Sequence, residues 1–520
     1  MRALAKPIPQ NEATAQTVTV PAPVGGWNAR DSLAAMNPLD AVVLDNIFPG
    51  TSDVSLRPGY INWLTAIPAN AKSLLPYNSV TARKLFVSTN TGIYDATSLG
   101  VCGAAVNACT NGQWESVNFT NAAGTSYLLA VNGVDNLRNY DGATWVNVTG
   151  VSANAITGIA TTSLSNIMMF KRRVWFIEKN SMNLWYMPTD AVAGAATVFP
   201  VGQLFNKGGY LVTFGSWTVD SGSGSDDYFV VVTSEGELAV YKGTDPASSA
   251  TWALVGVYYV GHPIGKKCLV KYGGDLLYIS QQGLTPLSKF LQSTVVDRSA
   301  RLSFKIDGAF LDATSTYGNN FGWSITPYPE VNALIVNIPV SADTLSYQYV
   351  MNDITKSWCR FFGWNATAWA MVGDSLFFAG GTTVAKAWTG NVDGTAPITG
   401  QVAQAYNNLG VKGQKNIVLA RPNIAVAGSA QLVMAFDADY KAFSGDTTVS
   451  YTPTGTGAVW DLSLWGTGVW DSGLSAVESK WITIPNDLGY LHSFRLQLTT
   501  STASFSWTST DFAVRRAGIL

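Results

Sequence analysis

Charge is what this sequence has least of. Asp, Glu, Lys and Arg make up 13% of its 520 residues, about half the roughly 25% usual in soluble domains. Its 32 basic and 34 acidic residues leave a net charge of −2, which excludes a polycation that grips nucleic acid by counterion release. Cysteine is scarce too: Cys102, Cys109, Cys268 and Cys359 are too few for a disulfide scaffold and read as free thiols, with a small Cys102–Cys109 loop as the alternative. The two histidines, His262 and His492, have no Cys or His nearby at ligand spacing. That excludes a structural zinc site and leaves little scope for a Ser-His-Asp triad. No apolar run approaches the 18 or so residues needed to span a bilayer. The best, Trp252 to Gly261, breaks at Gly-His-Pro and reads as a buried strand. Arg2 and Lys6 are followed by Pro7 and Pro9 rather than an apolar stretch, so a cleavable secretory signal is not expected.

Signatures of catalysis are missing as well. There is no Gly-x-Ser-x-Gly elbow and no phosphate loop ending in Gly-Lys-Ser/Thr. The Ser-x-Asp-x-Gly-x-x-Trp turns of sialidase-type propellers are absent, and Asp141-Gly142-Ala143-Thr144-Trp145, the nearest fragment, is explained as a tight turn. Asp437 and Asp439 could face one side of a strand end, and Asp226 and Asp227 are adjacent; such pairs arise by chance among 34 acidic residues. A calcium loop beginning at Asp437 lacks its Asn-Gly and distal Glu. No catalytic, cofactor-binding or metal residue is therefore assigned, no cofactor is expected, and the chain is not expected to be an enzyme. Three short basic clusters, Lys171-Arg172-Arg173, Lys266-Lys267 and Arg515-Arg516, read as solvated turns, with weak contact to a negative polymer as the alternative.

What is present is strand. Hydrophobic residues reach 47%, with 18 Trp, 21 Tyr, 22 Phe and 49 Gly. Short Val-, Ile- and aromatic-rich runs alternate with turn signals. Many form a hairpin: an apolar strand, a polar turn, then a second run ending in an aromatic, as in Leu85-Phe86-Val87 to Ile93-Tyr94. These units begin near Leu85, Tyr127, Met168, Tyr228, Cys268, Leu334 and Trp369, with spacings of 42, 41, 60, 40, 66 and 35. Several match the 40–45-residue period of a propeller blade. The expected architecture is all-β: a β-propeller-like domain over 61–395, of six or seven blades with insertions, and a C-terminal β-sandwich-like domain over 396–520. In the latter, Phe494-Arg495-Leu496-Gln497-Leu498 alternates as a strand with one solvated face should. Trp460, Trp465, Trp470 and Trp481 stand in a Gly- and Ser-rich stretch and read as a satellite core rather than a contact surface. Ahead of the propeller, 1–24 reads as an extended arm. Residues 25–60 read as a docking segment with one short helix, capped by Asn37, opened by Pro38 and carrying Leu39, Val42, Val43 and Ile47 on one face. So few charges with so many aromatics point to a surface covered by copies or partners.

Several motifs resemble a known virion family. Gly25-Gly26-Trp27-Asn28, Asp45-Asn46-Ile47-Phe48-Pro49 and Arg57-Pro58-Gly59-Tyr60 resemble the opening of the nozzle, or tail tubular, proteins of short-tailed bacteriophages. Tyr349 to Arg360, Gly363-Trp364-Asn365, Gln404 to Gly410, Ala420-Arg421-Pro422 and Ser509 to Phe512 are consistent with it, whereas 100–330 matches by pattern alone. The resemblance implies a structural protein of the virion tail, made in the host cytoplasm. It implies a ring, usually of six subunits, that extends the channel below portal and adaptor for genome ejection. Its partners would be copies of itself, portal and adaptor, tail fibre or plug proteins, and passing double-stranded DNA, with no membrane span. Trp27, Arg30, Leu39, Val43, Ile47, Phe48, Arg57 and Tyr60 are the candidate assembly contacts. Two other readings remain: a receptor- or carbohydrate-binding propeller, and a propeller glycan hydrolase.

Overall fold

The computed structural model describes residues 15–220, 225–292, 298–442, 444–451, 476–478 and 480–518. The chain divides into two units: Gly59–Lys356 with Phe361–Gly394, and Met1–Pro58 with Ser357–Arg360 and Thr395–Leu520.

The first of these is a β-propeller whose described residues form seven blades. Their second strands begin at residues 83, 126, 173, 225, 275, 333 and 375. Innermost strands meet in chain order, and that of the seventh blade, Ala368–Val372, meets Ser73–Asn78 of the first, so the ring is closed. A strand between two others in a blade is buried on both faces, which explains the unbroken apolar runs. In Leu85-Phe86-Val87, Leu85 and Val87 pack toward blade seven, while Phe86 packs toward blade two. Leu128 and Ala130 of blade two face the first blade, and Leu129 and Val131 the third. Between blades three and four the filling is aromatic: Trp175 stacks on Trp252 at 5.5 Å and meets Phe229 at 4.7 Å. The ring is fastened by a strand distant in sequence. Tyr60–Thr65 adds antiparallel to Thr383–Ala387 as the outer strand of blade seven, with Leu64 opposite Val384. Between the last strand of blade five, Gly283–Pro286, and the first of blade six runs an insertion with the helix Asp307–Tyr317, its Phe310 buried.

One apolar run departs from expectation. Trp252–Tyr259 is the outermost strand of blade four. Trp252 is buried, but Leu254, Val255, Val257 and Tyr259 are 42%, 48%, 36% and 50% exposed. The position at the sheet edge, invisible to hydropathy, decides this.

The second unit is a sandwich. One sheet is led by the long antiparallel pair Gln414–Ala427 and Ser504–Gly518. The other holds Ala396–Gln404, His492–Thr500, Ala430–Ala438 and Thr447–Tyr451. Phe436 and Phe494 of the second sheet meet Phe512 of the first at 5.2 and 5.8 Å, and Phe494 meets Trp507 at 5.6 Å. Phe494, Leu496 and Leu498 point into this core, and Gln497 points out, as the alternation requires.

The amino-terminal expectations need correction. The described part of the arm is a strand, Gln16–Pro21, paired with Ser504–Gly518 so that Val18 lies opposite Phe512. The expected helix does not form. Asn37 accepts from the Leu39 amide at 2.9 Å, and the Asp40 amide donates to the Asn37 carbonyl at 2.9 Å, which closes a turn. The strand Asp40–Asp45 follows and pairs with Ala396–Gln404. Asn-Pro serves a turn as well as a helix start, and the β-branched Val42 and Val43 favour the strand once a sheet edge is offered. The described arm, residues 25–58 of the docking segment and the C-terminal sandwich are thus one unit, while Gly59 and Tyr60 belong to the propeller. Trp460, Trp465 and Trp470 lie outside the described residues. Trp481 is 37% exposed, with the Arg421 guanidinium 4.9 Å from its ring centroid.

Candidate functional site

Many of the resemblance-bearing segments meet within the sandwich unit, whereas Gly59-Tyr60, Tyr349 to Lys356 and Gly363-Trp364-Asn365 belong to the propeller. Asn46 adopts a left-handed backbone (φ 56°) between Asp40–Asp45 of one sheet and Ile47–Pro49 of the other, so it carries the chain across. Asn tolerates this conformation better than most residues. Its amide group donates to the Thr399 carbonyl at 2.9 Å, and its side-chain oxygen accepts from Arg57 Nε at 2.9 Å. Arg57 is 1% exposed. Asp45 next door takes a two-pronged bond from Arg360 at 2.8 and 2.9 Å, and that guanidinium lies 5.0 Å from the Trp27 ring centroid. Gly26 has φ 82°, and a Cβ there would stand 2.7 Å from the Trp358 carbonyl oxygen, so the position requires glycine. At the far end of the chain, Asp511 binds Arg421 and Thr19. Burial alone would raise this carboxyl; the bonds from Thr19 and Arg421 overcome it and hold it below its ordinary range. Cys359 is fully buried, and its thiol is pushed well up by that burial.

The eight candidate assembly residues therefore part company. Trp27, Ile47 and Arg57 are interior. Phe48 is half-buried, and Tyr60 lies in the propeller, edge-on to Phe378 at 5.1 Å. Arg30 is exposed and pairs with Asp31 at 2.7 Å; Leu39 is exposed; Val43 is half-buried. Val43 lines a concavity of about 490 Å³ on the sandwich sheet, with Gln401, Ala403, Val433, Arg495 and Gln497. The structure brings Trp27, Ile47 and Arg57 into the scaffold and Tyr60 into the propeller, and of the eight only Arg30 and Leu39 are exposed.

The carboxylates considered for catalysis are engaged. Asp437 binds Arg495 at 2.9 Å, and Asp439 accepts from the Tyr490 and Leu491 amides at 2.9 Å each. Asp227 binds Lys171 at 3.0 Å and Thr218 at 2.8 Å, while the Asp226 side chain lies outside the described set. Arg172 pairs with Asp190, and Arg173 with Asp245 at 3.3 Å. Among the described residues no group of three His, Cys, Asp or Glu is placed to hold a metal ion. All four cysteines are free.

The propeller's channel mouth was missed from sequence. A cavity of about 390 Å³ is lined where the innermost strands of five blades begin: Lys72, Glu115, Lys267, Ser324 and Thr367. A second, of about 350 Å³, is lined by Ser165 and Leu211, where the inner strands of blades three and four begin, and by Lys179; the two share Gly265 and Lys266. Inner strands run alike through a propeller, so their starts gather at one mouth. Lys267 lies 3.9 Å from Glu115, and Lys72 pairs with Asp343. Lys266 reaches the Ser165 carbonyl at 3.4 Å. Water reaches Lys266, yet protein rings it: desolvation lowers its ammonium, Glu115 opposes this, and Lys179 adds to it. The available signal was that each of these residues precedes or opens a blade.

A scan against protein-family models finds no match, and a search of curated proteins finds none. Among solved structures, the chain is similar to YCF48 from Cyanidioschyzon merolae, at 10% identity and a TM-score of 0.37, over 64% of this chain and 98% of that one. It is similar to the β-propeller domain of Cps50 (Swd1) from Myceliophteria thermophila, at 10% identity and a TM-score of 0.35, over 61% and 99%. The extracellular domains of a hybrid two-component system and a one-component system from B. thetaiotaomicron match at 11% and 9% identity, with TM-scores of 0.38 and 0.40 over 64% and 78% of this chain. The chain spans 40% and 57% of the length of those two domains.

Proposed function

We propose that this chain is a structural protein of a short-tailed phage virion, a nozzle subunit that assembles into a ring, of six copies in the family it resembles, and extends the channel through which the genome leaves. The observation that carries this reading is the convergence just described. Gly25 to Pro58 and Ser357 to Arg360, which bear the resemblance, are joined in one unit by the Asp45–Arg360 pair and the Asn46–Arg57 bond, and Ser509 to Phe512 joins the same unit by pairing with Gln16–Pro21 and through the Asp511–Arg421 pair. These polar residues are satisfied by one another, as a scaffold requires. The paired carboxylates serve structural bonds, which favours architecture over catalysis. A near-neutral chain suits a conduit, because a strongly cationic bore would retain DNA. Partners would be portal and adaptor on one side and fibre or plug proteins on the other.

The test is electron microscopy of the purified protein and of the tail. A ring with an axial bore wide enough for a duplex, about 20 Å, is expected. A particle that stays single at high concentration and beside the portal and adaptor overturns the proposal. Deleting residues 1–24 would confuse assembly with folding, because Gln16–Pro21 is part of a sheet. The sharper variant is Leu39→Asp, at an exposed turn position: ring assembly should weaken at least tenfold while the circular-dichroism spectrum is unchanged.

A further inference from the structure

We infer that residues 485–491 form a strap along one edge of the sandwich that acid releases, with His492, set between Lys415 and Asp439, as the group that takes up the proton. This goes beyond the ring-forming role and stands on the sandwich unit alone.

The strap is held by polar bonds. It runs beside Gln414–Ala427, on the edge opposite Ser504–Gly518. Gly489 and Lys415 exchange backbone bonds at 3.0 and 3.2 Å. The Asn486 side chain accepts from the Ile417 amide at 3.2 Å and donates to the Ile417 carbonyl at 2.6 Å. The Lys415 ammonium donates to the Tyr490 carbonyl, and Asp439 accepts from the Tyr490 and Leu491 amides at 2.9 Å each. Apart from Gly489, which has no side chain, none of residues 485–490 is buried. Little apolar burial therefore opposes lifting of the strap, and such segments open at lower cost than a core.

His492 makes that opening depend on pH. It is 2% exposed. Its Nε2 donates to the Asp487 carbonyl at 3.2 Å, so the neutral ring carries its proton there. Its Nδ1 is buried without a partner. A second proton would create a buried N–H with nothing to accept it and would set a cation beside the ammonium of Lys415, itself buried. The other neighbours compensate little. Asp439, just past Ala430–Ala438, is the carboxylate that acts on the ring, and it already serves the strap amides. Ala430–Ala438 itself offers the Phe436 ring at 6.5 Å, and Asn407 offers backbone bonds. Lifting the strap admits water to both cations. Burial holds His492 below its ordinary 6.5 and lowers Lys415 as well. The closed strap is thus fully stable above about pH 6.5 and loses stability as pH falls through the lower folded value.

Hydrogen exchange of the full chain at pH 7 and pH 5, corrected for the intrinsic pH dependence of each amide, tests this. The amides of Lys415, Ile417, Gly489, Tyr490 and Leu491 should lose protection about fivefold at pH 5. They should exchange by a local opening that low urea does not change, whereas Leu496 and Leu498 should follow the urea-dependent unfolding of the unit. His492→Gln should remove the pH effect. Asn486→Ala loosens the strap without touching the imidazole, so exchange should quicken at both pH values with the ratio kept. The chain has two histidines, so an isotope label on histidine reads the His492 titration directly, and it should fall below 6.5. Unchanged protection between the two pH values, the same ratio in His492→Gln, strap and core amides exchanging as one, or titration of His492 at or above its ordinary value each overturns the inference. None of these outcomes bears on whether the chain forms a ring.

Discussion

In blade four of the propeller each strand pairs with the next in the chain, from Leu211–Asp220 through to Trp252–Tyr259. In the sandwich, Val18 pairs with Phe512 and Leu44 with Val402. Both units are sheets with aromatic cores, but one is assembled from neighbours and the other from the two ends of the chain. Local pairing needs little loop closure, whereas joining distant segments costs entropy that only the finished core returns. Damage in the propeller should therefore spread from blade to blade. Damage in the sandwich should release the chain's ends together.

The largest expected effect is in the sandwich. Trp507 is fully buried, and its indole donates to the Ser509 carbonyl and Thr510 hydroxyl at 2.9 and 3.0 Å. Trp507→Ala should cost about 3–5 kcal/mol. Hydrogen exchange should show amide protection lost in Gln16–Pro21, Asp40–Asp45, Ala396–Gln404, Gln414–Ala427, His492–Thr500 and Ser504–Gly518 while blades two to four keep theirs; equal loss in both units would break the comparison. Next comes a propeller strand that, like those of the sandwich, pairs with a partner far along the chain. Leu64, 3% exposed, packs with Leu74, Leu85 and Phe377, and Leu64→Ala should cost about 2–4 kcal/mol. Protection should fall in blades seven and one first, and uniform loss around the ring would argue against the fastening role of Tyr60–Thr65.

The smallest effect is set by pH. Burial lowers the His492 imidazole below its ordinary 6.5, against a bond to the Asp487 carbonyl. The unfolded chain then takes up this proton first, so its contribution is whole above about pH 6.5 and is lost as pH falls through the lower folded value. Asp511, held low, contributes above its ordinary 3.8 and is lost only below it. Between pH 7 and 5 the sandwich should lose up to about 1 kcal/mol, measured by denaturant titration, and His492→Gln should flatten that slope. A slope unchanged in the variant would assign it elsewhere.

The blades were legible because their signal is short-range. A buried strand, a turn and an aromatic recur within one unit, and starts near Leu85, Tyr127 and Tyr228 fall on second strands. The uneven spacings have a cause: Met168, Cys268 and Trp369 mark first strands or the residue ahead of one. The Asn37 to Ile47 segment misled because its local chemistry suits a turn, a helix cap or a strand equally, and its partner, Ala396–Gln404, lies far along the chain. The channel mouth was illegible for the same reason: Lys72, Lys266, Ser324 and Trp369 carry no shared motif and meet only because a closed ring gathers the starts of its inner strands.

By itself the sequence determined that this chain is mostly strand, recurs in a hairpin that reads as six or seven blades and carries little charge, since alternation, turn residues and composition act within a few residues of one another. Only the tertiary structure decided that the first strands belong with the last, that Trp27 and Arg57 are interior, and that Leu254 and Tyr259 face outward. Those outcomes depend on which sheet edges remain open when the rest has folded, and an open edge is a property of the assembled molecule.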